Sequence, residues 1–258
     1  MRRPEIMHPS GAIALGSDPA DAAWLVPADG DWELDLGQLP DDPEAARQAA
    51  AALLATAEQA VAARGGGTLR LWVRGPDSAR QAVAEAAGMT MARELLQMRR
   101  SLPVEEPWTL AVRPFRVGAD EAAWLEVNNR AFEWHPEQGG MTLEELRDHE
   151  AAPWFDPKGF LLHEADGALL GFCWTKVHAA ADPPIGEIFV IAVDPSAHQR
   201  GLGRALVLAG LDHLHRLGLR VGMLYTESDN APAVRLYRDL GFTVHSTDCA
   251  YTLEVAAR

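Results

Sequence analysis

Gly186-Glu-Ile-Phe-Val-Ile-Ala-Val-Asp-Pro-Ser-Ala-His-Gln-Arg-Gly-Leu-Gly-Arg-Ala205 decides the fold. The run from Gly186 to Val193 is β-branched and apolar, as a strand requires, and Asp194-Pro195 ends it. A loop, His198 to Arg204, then opens a helix predicted over Ala205–Leu217. Strand, glycine loop and helix N-terminus together make an anion cradle. Glycines let backbone N–H groups approach a phosphate, and the helix dipole adds a favourable field. Arg200 and Arg204 would add charge to a pyrophosphate. Alternation along the strand predicts Glu187, Phe189, Ile191 and Val193 on one face and Ile188, Val190 and Ala192 on the other. Glu187 is thereby set among apolar neighbours.

Downstream, Gly222–Thr226 reads as a strand, Ala231–Leu240 as a helix and Thr247–Val255 as a strand. The helix carries its own punctuation: Asn230 as N-cap, Pro232 in the first turn and Gly241 as the stop. Upstream, Ser101-Leu-Pro-Val-Glu-Glu-Pro-Trp108 has two prolines and two acids between apolar strands, which is linker chemistry and sets the expected boundary between domains 1–103 and 110–258. Before it lie a helix over Pro43–Ala63 with Asp41 and Asp42 as capping candidates, a strand over Thr68–Val73, a helix over Asp77–Ala87 stopped by Gly88, and a strand over Glu94–Leu102. One ungapped offset of 153 places Gly88 on Gly241, Asp77 on Asn230, Trp72 on Tyr225 and Asp41 on Asp194. A shared element order at constant offset predicts a duplication.

Bulk properties exclude several classes. The 258 residues suit two domains, and 48% hydrophobic with 23% charged residues is ordinary globular composition. A formal net charge of −14 disfavours nucleic acid and anionic membrane, both of which select for excess Lys and Arg. No stretch approaches the ~18 apolar residues of a membrane span. Met1-Arg-Arg-Pro4 is followed by too short an apolar run for a leader, so a cytoplasmic location is expected. Cys173 and Cys249 stand alone and are expected as buried free thiols. The nine histidines lack metal-ligand spacing, so no metal is expected.

His198 to Arg204 resembles the acetyltransferase signature Q/R-x-x-G-x-G/A, with His198 in place of the first Gln or Arg; two residues on, Arg200, Gly203 and Ala205 satisfy it. Asn230-x-x-Ala233-x-x-Leu236-Tyr237-x-x-x-Gly241-Phe242 resembles a second acetyltransferase pattern, in which the Tyr meets the thioester sulfur. More narrowly, Val127-Asn-Asn-Arg-Ala-Phe132, His135-Pro-Glu-Gln-Gly-Gly140, Trp154-Phe-Asp-Pro157, Leu170-Gly-Phe-Cys-Trp-Thr-Lys-Val-His178 and Arg93-Glu-Leu-Leu-Gln-Met-Arg-Arg100 resemble the mycothiol synthase family. That family has tandem GNAT domains and acetylates the cysteine amine of Cys-GlcN-Ins.

The resemblance implies an α/β fold (α+β mixed sheet) of the GNAT acyl-CoA N-acyltransferase type, in tandem with a truncated, degenerate N-terminal half, and acetyl-CoA as co-substrate. It implies Glu187 as general base and Tyr237 as general acid. Acetyl-CoA would be held by Ile191, Ala192 and Val193, by His198, Gln199, Arg200, Gly201, Leu202, Gly203 and Arg204, and by Asn230, Ala231, Pro232, Ala233, Val234 and Arg235. Glu137, Lys176, Glu187 and Tyr225 would face the acceptor. The implied partner is the small amine Cys-GlcN-Ins, acted on by a monomer. Another small amine, such as a polyamine or an aminoglycoside, and acyl-CoA binding without catalysis are the alternatives. Joint presence of Glu187 and Tyr237 argues against the second.

The first half departs from the family, because about a hundred residues before the linker are few for a full domain of this fold. At the offset of 153, Gly201 and Gly203 fall on Gln48 and Ala50, Tyr237 falls on Ala84, and Glu187 falls on Leu34 or, with a one-residue slip, on Glu33. This half is expected to bind no acetyl-CoA and to catalyse nothing.

Overall fold

The computed structural model describes residues 11–15, 23–28, 30–75, 77–133, 139–197 and 201–258. In chain order the elements are β1 (Ile13–Leu15), β2 (Ala23–Ala28), β3 (Asp31–Asp35), α1 (Pro43–Ala62), β4 (Gly67–Val73), α2 (Ser78–Ala86), β5 (Thr90–Ser101), β6 (Arg113–Pro114), α3 (Glu121–Ala131), α4 (Leu143–Ala151), β7 (Phe160–Ala165), β8 (Ala168–His178), β9 (Ile185–Val193), α5 (Leu202–Arg216), β10 (Val221–Glu227), α6 (Ala231–Asp239) and β11 (Thr243–Val255). Local chemistry explains the helix starts. Asp42 accepts the N–H of Ala45 at α1, Asp77 that of Arg80 at α2, and Asn230 that of Ala233 at α6. Thr142 and Glu145 close a reciprocal capping box at α4.

The chain forms two compact units. The first contains the strand order β1-β2-β3-β4-β11, with β3 parallel to β4 and β11 antiparallel to β4 through Cys249↔Val73 to Val255↔Gly67. Its core joins Leu34, Leu69 and Leu71 of the strands to Ala50, Leu54, Ala57 and Val61 along α1. Among the described residues no helix precedes β3. The linker read from composition, Ser101–Trp108, lies within the second unit, and the boundary between the units is elsewhere. It falls between Leu96 and Gln97, inside β5, and assigns Ser246–Arg258 to the first unit. A ladder with β4 holds that final segment there, and composition carries no trace of a ladder.

The offset of 153 carries α2 onto α6 without remainder, and the start of β5 onto the start of β11. The ladders settle the slip in the first half. Glu33 pairs with Arg70 on β4 as Glu187 pairs with Met223 on β10, so Glu33, not Leu34, holds the position matching Glu187.

The second unit contains the order β5-β10-β9-β8-β7-β6, a mixed sheet in which β9 runs parallel to β10 and antiparallel to β8. One face carries α3 and α4 over an aromatic core. Phe160 stacks on Trp174 at 4.3 Å and on Phe115 at 4.4 Å, and Trp124 meets both Phe160 and Trp174 edge-on. The other face carries α5, packed so closely that a Cβ on Gly210 would lie 2.5 Å from Cys173 Sγ and 2.6 Å from Ile188 Cδ1. Cys173 is a buried free thiol, as expected; Cys249 is free but only half-buried.

Asp120 ties α3 to the sheet edge. Its buried carboxylate accepts from Arg113 Nη1 at 2.6 Å, from the Arg116 N–H at 2.7 Å and from Arg116 Nη2 at 3.1 Å. Burial by itself would raise its pKa, but these hydrogen bonds together outweigh it and lower the value from 3.8 to about 2. A depressed carboxylate stabilises the fold above its unfolded value, and that stability is lost as pH falls through its folded value. At ~1.36 kcal/mol per pKa unit this is worth ~2 kcal/mol. Asp120→Asn should therefore lower urea-unfolding stability at pH 6 by about that amount, and the gap should close between about pH 4 and 2.

Candidate active site

The site begins where two strands part. β9 and β10 pair in parallel only at Gly186↔Gly222, Glu187↔Met223 and Ile188↔Leu224, although β9 runs on to Val193 and β10 to Glu227. On its other edge β9 stays paired with β8 as far as Gly171↔Val193. The β10-facing backbone groups from Phe189 to Ala192 thus lack a ladder partner on β10, so an extended ligand can pair with them.

A β-bulge lies at the same place. The β8 ladder steps from Trp174↔Val190 to Thr175↔Ile188 and leaves Phe189 as the extra residue. This corrects the simple alternation read from the sequence. Glu187 and Phe189 share the α3/α4 face with Val190 and Ala192, which join the core of Trp124 and Trp174. Val193 instead comes near α5 at Gly203, and Ile191 pairs with Cys173, whose sulfur points at α5. The inserted residue reverses the sense of alternation, so Glu187 and Ile191 occupy opposite faces.

On the α5/α6 face a cleft of 470 Å³ is lined by Ile191, Ala192, Val193, Gly201, Leu202, Gly203, Arg204, Asn230, Pro232, Ala233 and Tyr237. These eleven were all singled out from the sequence. The cleft also takes Ala131, Phe132, Ala197 and Leu236, which sequence reasoning did not assign. The resemblance stretch ending at Phe132 was the available signal for Ala131 and Phe132, and the Asn230–Phe242 pattern that for Leu236. Ala231, Val234 and Arg235 do not line it: Val234 is buried beneath α6, and the other two are exposed. His198, Gln199, Arg200 and Glu137 lie outside the described residues.

Gly201 caps α5 with φ +70°, a left-handed conformation that suits glycine, and no side chain caps the helix. Among the described residues no side chain takes the first-turn N–H groups of α5, the groups that suit an anion. Asp194, buried at the end of β9, braces the approach to this loop by accepting from Arg130 Nη2 at 2.6 Å and from the Ser196 N–H at 2.9 Å. Arg204 is bound to Glu106 of the linker through two hydrogen bonds of 2.7 and 2.6 Å. Tyr237 is 7% exposed, and burial, reinforced by nearby Cys173, raises its pKa, so its hydroxyl keeps its proton at neutral pH.

The α3/α4 face presents the second group of residues. Lys176 on β8 stands opposite Glu187, with its ammonium 4.4 Å from the Trp154 ring centre and 4.9 Å from that of Phe189. Glu187 is 6% exposed and sits 2.6 Å from Nε2 of His178. Tyr225, two residues beyond Glu187's partner Met223, shares this face; it is exposed, and its hydroxyl accepts from Gln97 Nε2. His149, across from Trp154 and Phe189, has its pKa lowered by burial first and by Lys176 second. Among the described residues no cluster of three or more His, Cys, Asp or Glu could hold a metal, and no helix is long and apolar enough to cross a membrane.

This is the architecture of a GNAT acetyltransferase. Residues 122–242 match the Acetyltransferase (GNAT) family. Two solved structures share the fold: a GCN5-related N-acetyltransferase from Sphaerobacter thermophilus (TM-score 0.64, 24% identity, 79% of this chain and 67% of that one) and a tandem GNAT protein from the clavulanic acid biosynthesis pathway (TM-score 0.63, 18% identity, 92% and 79%). Mycothiol acetyltransferase of Thermobispora bispora is 46% identical over 94% of this chain and 84% of its own length. That of Thermomonospora curvata is 51% identical over 75% of this chain, a match that spans only 66% of the relative. The chain belongs to the mycothiol acetyltransferase family.

Gly201→Ala should expose the backbone demand at the cradle. A Cβ in the left-handed region costs roughly 1–2 kcal/mol, so urea unfolding should register a loss of that size.

Proposed function

We propose that this chain transfers the acetyl group of acetyl-CoA to the cysteine amine of Cys-GlcN-Ins. The observation that carries the reading is the placement of Glu187 and Tyr237 on opposite faces of the sheet, beside the gap between β9 and β10. The cleft fits acetyl-CoA in kind. It is largely apolar along its length, ends in the open helix N-terminus of α5, and borders the β10-facing backbone of Phe189 to Val193. Bound there, acetyl-CoA would supply the electrophilic thioester.

The protein's groups then divide the proton work. An α-amino group has a reference pKa of ~7.7–8.0 against ~10.4 for lysine, so a buried carboxylate suffices to take its proton. Glu187 receives that proton on the α3/α4 face. Backbone N–H groups near Ile191 meet developing negative charge on the carbonyl oxygen. Tyr237, kept protonated by burial, protonates the departing sulfur from the α5/α6 face. Lys176 and Tyr225 flank the amine. Glu137, an acceptor contact by the resemblance, lies outside the described residues.

The first unit is proposed to act as a scaffold that neither binds acetyl-CoA nor catalyses. Asp42 already occupies the first-turn N–H of α1, and Glu44 follows it, so an anion there meets carboxylates where α5 offers glycine. Ala84 has no proton to donate at the position matching Tyr237. Glu33 at the base position is therefore a base without an acid. The enzyme is proposed to work as a cytoplasmic monomer.

Acetyl transfer to Cys-GlcN-Ins, assayed beside polyamines and aminoglycosides, tests the acceptor. Preference for a polyamine would replace it. Glu187→Gln should lose ~10²–10⁴-fold in turnover at pH 7 while keeping its acetyl-CoA affinity, since the cradle is untouched. Tyr237→Phe should slow transfer without changing the thermal midpoint. Titration calorimetry should find one acetyl-CoA per chain; two would assign a site to the first unit.

A further inference from the structure

Acetylating an ammonium at neutral pH releases a proton to water. The C–N bond forms, the C–S bond breaks and the sulfur leaves with one proton. Of the two protons the nitrogen loses, one balances the thiol and one must leave the site in every turnover. Glu187 can receive that proton but cannot shed it directly, because it is 6% exposed.

We propose that His178 is the positioning residue through which Glu187 discharges its proton; this rests on the acetyltransferase reading above. The two strands bring the pair together. Glu187 on β9 pairs across the ladder with Lys176 on β8, and His178, two residues further, projects from the same face. Its Nε2 lies 2.6 Å from Glu187 Oε2, and its side chain is 35% exposed against 8% for that of Glu187. In the resting site the ring donates to the carboxylate and fixes its orientation. Once Glu187 is protonated, water at the exposed edge of the ring exchanges it to the tautomer with its proton on Nδ1, Nε2 then accepts the carboxyl proton, and the imidazolium gives its Nδ1 proton to water, which restores the neutral Nε2–H imidazole and a free carboxylate. No oxidant, reductant or further reactant is needed.

The other groups on this face are poorly suited to the task. Lys176 holds its ammonium over Trp154 and Phe189 and repels a second positive charge. The Tyr225 hydroxyl is engaged by Gln97. His149 lies against the rings of Trp154, Trp174 and Phe189, and burial disfavours its charged form.

The test compares wild type with His178→Gln at pH 7 in a dilute, bulky buffer, with and without added imidazole. Gln can still hydrogen-bond the carboxylate but carries no proton. A turnover loss smaller than the ~10²–10⁴-fold expected for Glu187 itself, unchanged acetyl-CoA affinity, little change in the acceptor KM, and recovery of most of the lost rate with imidazole are expected. Imidazole should not accelerate wild type, nor a Glu187→Gln/His178→Gln double variant. Wild-type turnover in dilute buffer, or a deficit in a folded variant that imidazole leaves unchanged, overturns the proposal. His178→Ser serves in the same comparison if the Gln variant does not fold. Inactivity of wild type towards Cys-GlcN-Ins refutes the acceptor instead, and the comparison is then made on whichever amine of the panel is acetylated.

Discussion

The second unit depends on a ladder that stops early. Two parallel strands that pair for three residues and then separate leave backbone polar groups facing a gap, and such groups are costly to bury without partners. A structure that keeps them must hold the strands apart and give the gap a ligand. The antiparallel hairpin of β8 and β9 does the holding, because β9 remains paired on its far edge from Ile185 to Val193 except at the bulged Phe189. Aromatic packing of Phe160, Trp174 and Trp124 beneath that hairpin makes it rigid. The opening is therefore a property of the packed sheet, not of a mobile loop.

The bulge at Phe189 turns the opening into a two-sided site. Strict alternation would set Glu187 and Ile191 on one face, with the carboxylate and the cleft crowded together. One inserted residue reverses the sense, so the carboxylate stays with Lys176, His178 and Tyr225 while Ile191 and Val193 turn to α5 and α6. An acceptor and a thioester can then approach from opposite faces and meet in the gap. In the proposed reaction this separates the proton acceptor, Glu187, from the proton donor, Tyr237.

Much of this was legible in the sequence because it rests on local punctuation. Asn230, Pro232 and Gly241 mark α6 whatever it packs against, and Gly201 and Gly203 mark the helix start that lines the cleft. Glu187 and Tyr237 came from a pattern resemblance, and the structure places them beside one gap. What stayed hidden is non-local. Nothing in an apolar run such as Ile-Phe-Val-Ile marks where a bulge falls, since the signal lies in the partner strand. The ladder of β11 on β4 spans more than half the chain and leaves no compositional mark. His178 was quoted within a resembling stretch without a role, because its partner lies nine residues away across a hairpin. The register of β3 on β4 likewise decided between Leu34 and Glu33 where the sequence left both open.

Charge poses a separate problem for a chain of net −14 that is proposed to bind a polyanionic co-substrate. Long-range attraction cannot bring the ligand in, so affinity must come from short-range groups that act within a Debye length, ~8–10 Å at ordinary salt. Open N–H groups at the start of α5 meet that condition, and so does Arg204. In the structure Arg204 is held by Glu106 in a two-point pair whose side chains are 37% and 38% exposed. Pairs this exposed contribute little, so exchanging a carboxylate for a phosphate costs little. The pairing lowers the Glu106 pKa and raises that of Arg204. A guanidinium already extended and oriented by a carboxylate loses less freedom when a phosphate takes its place. The acidic linker, which on composition is only a spacer, thus keeps the one described arginine of the cradle in order at small cost to binding.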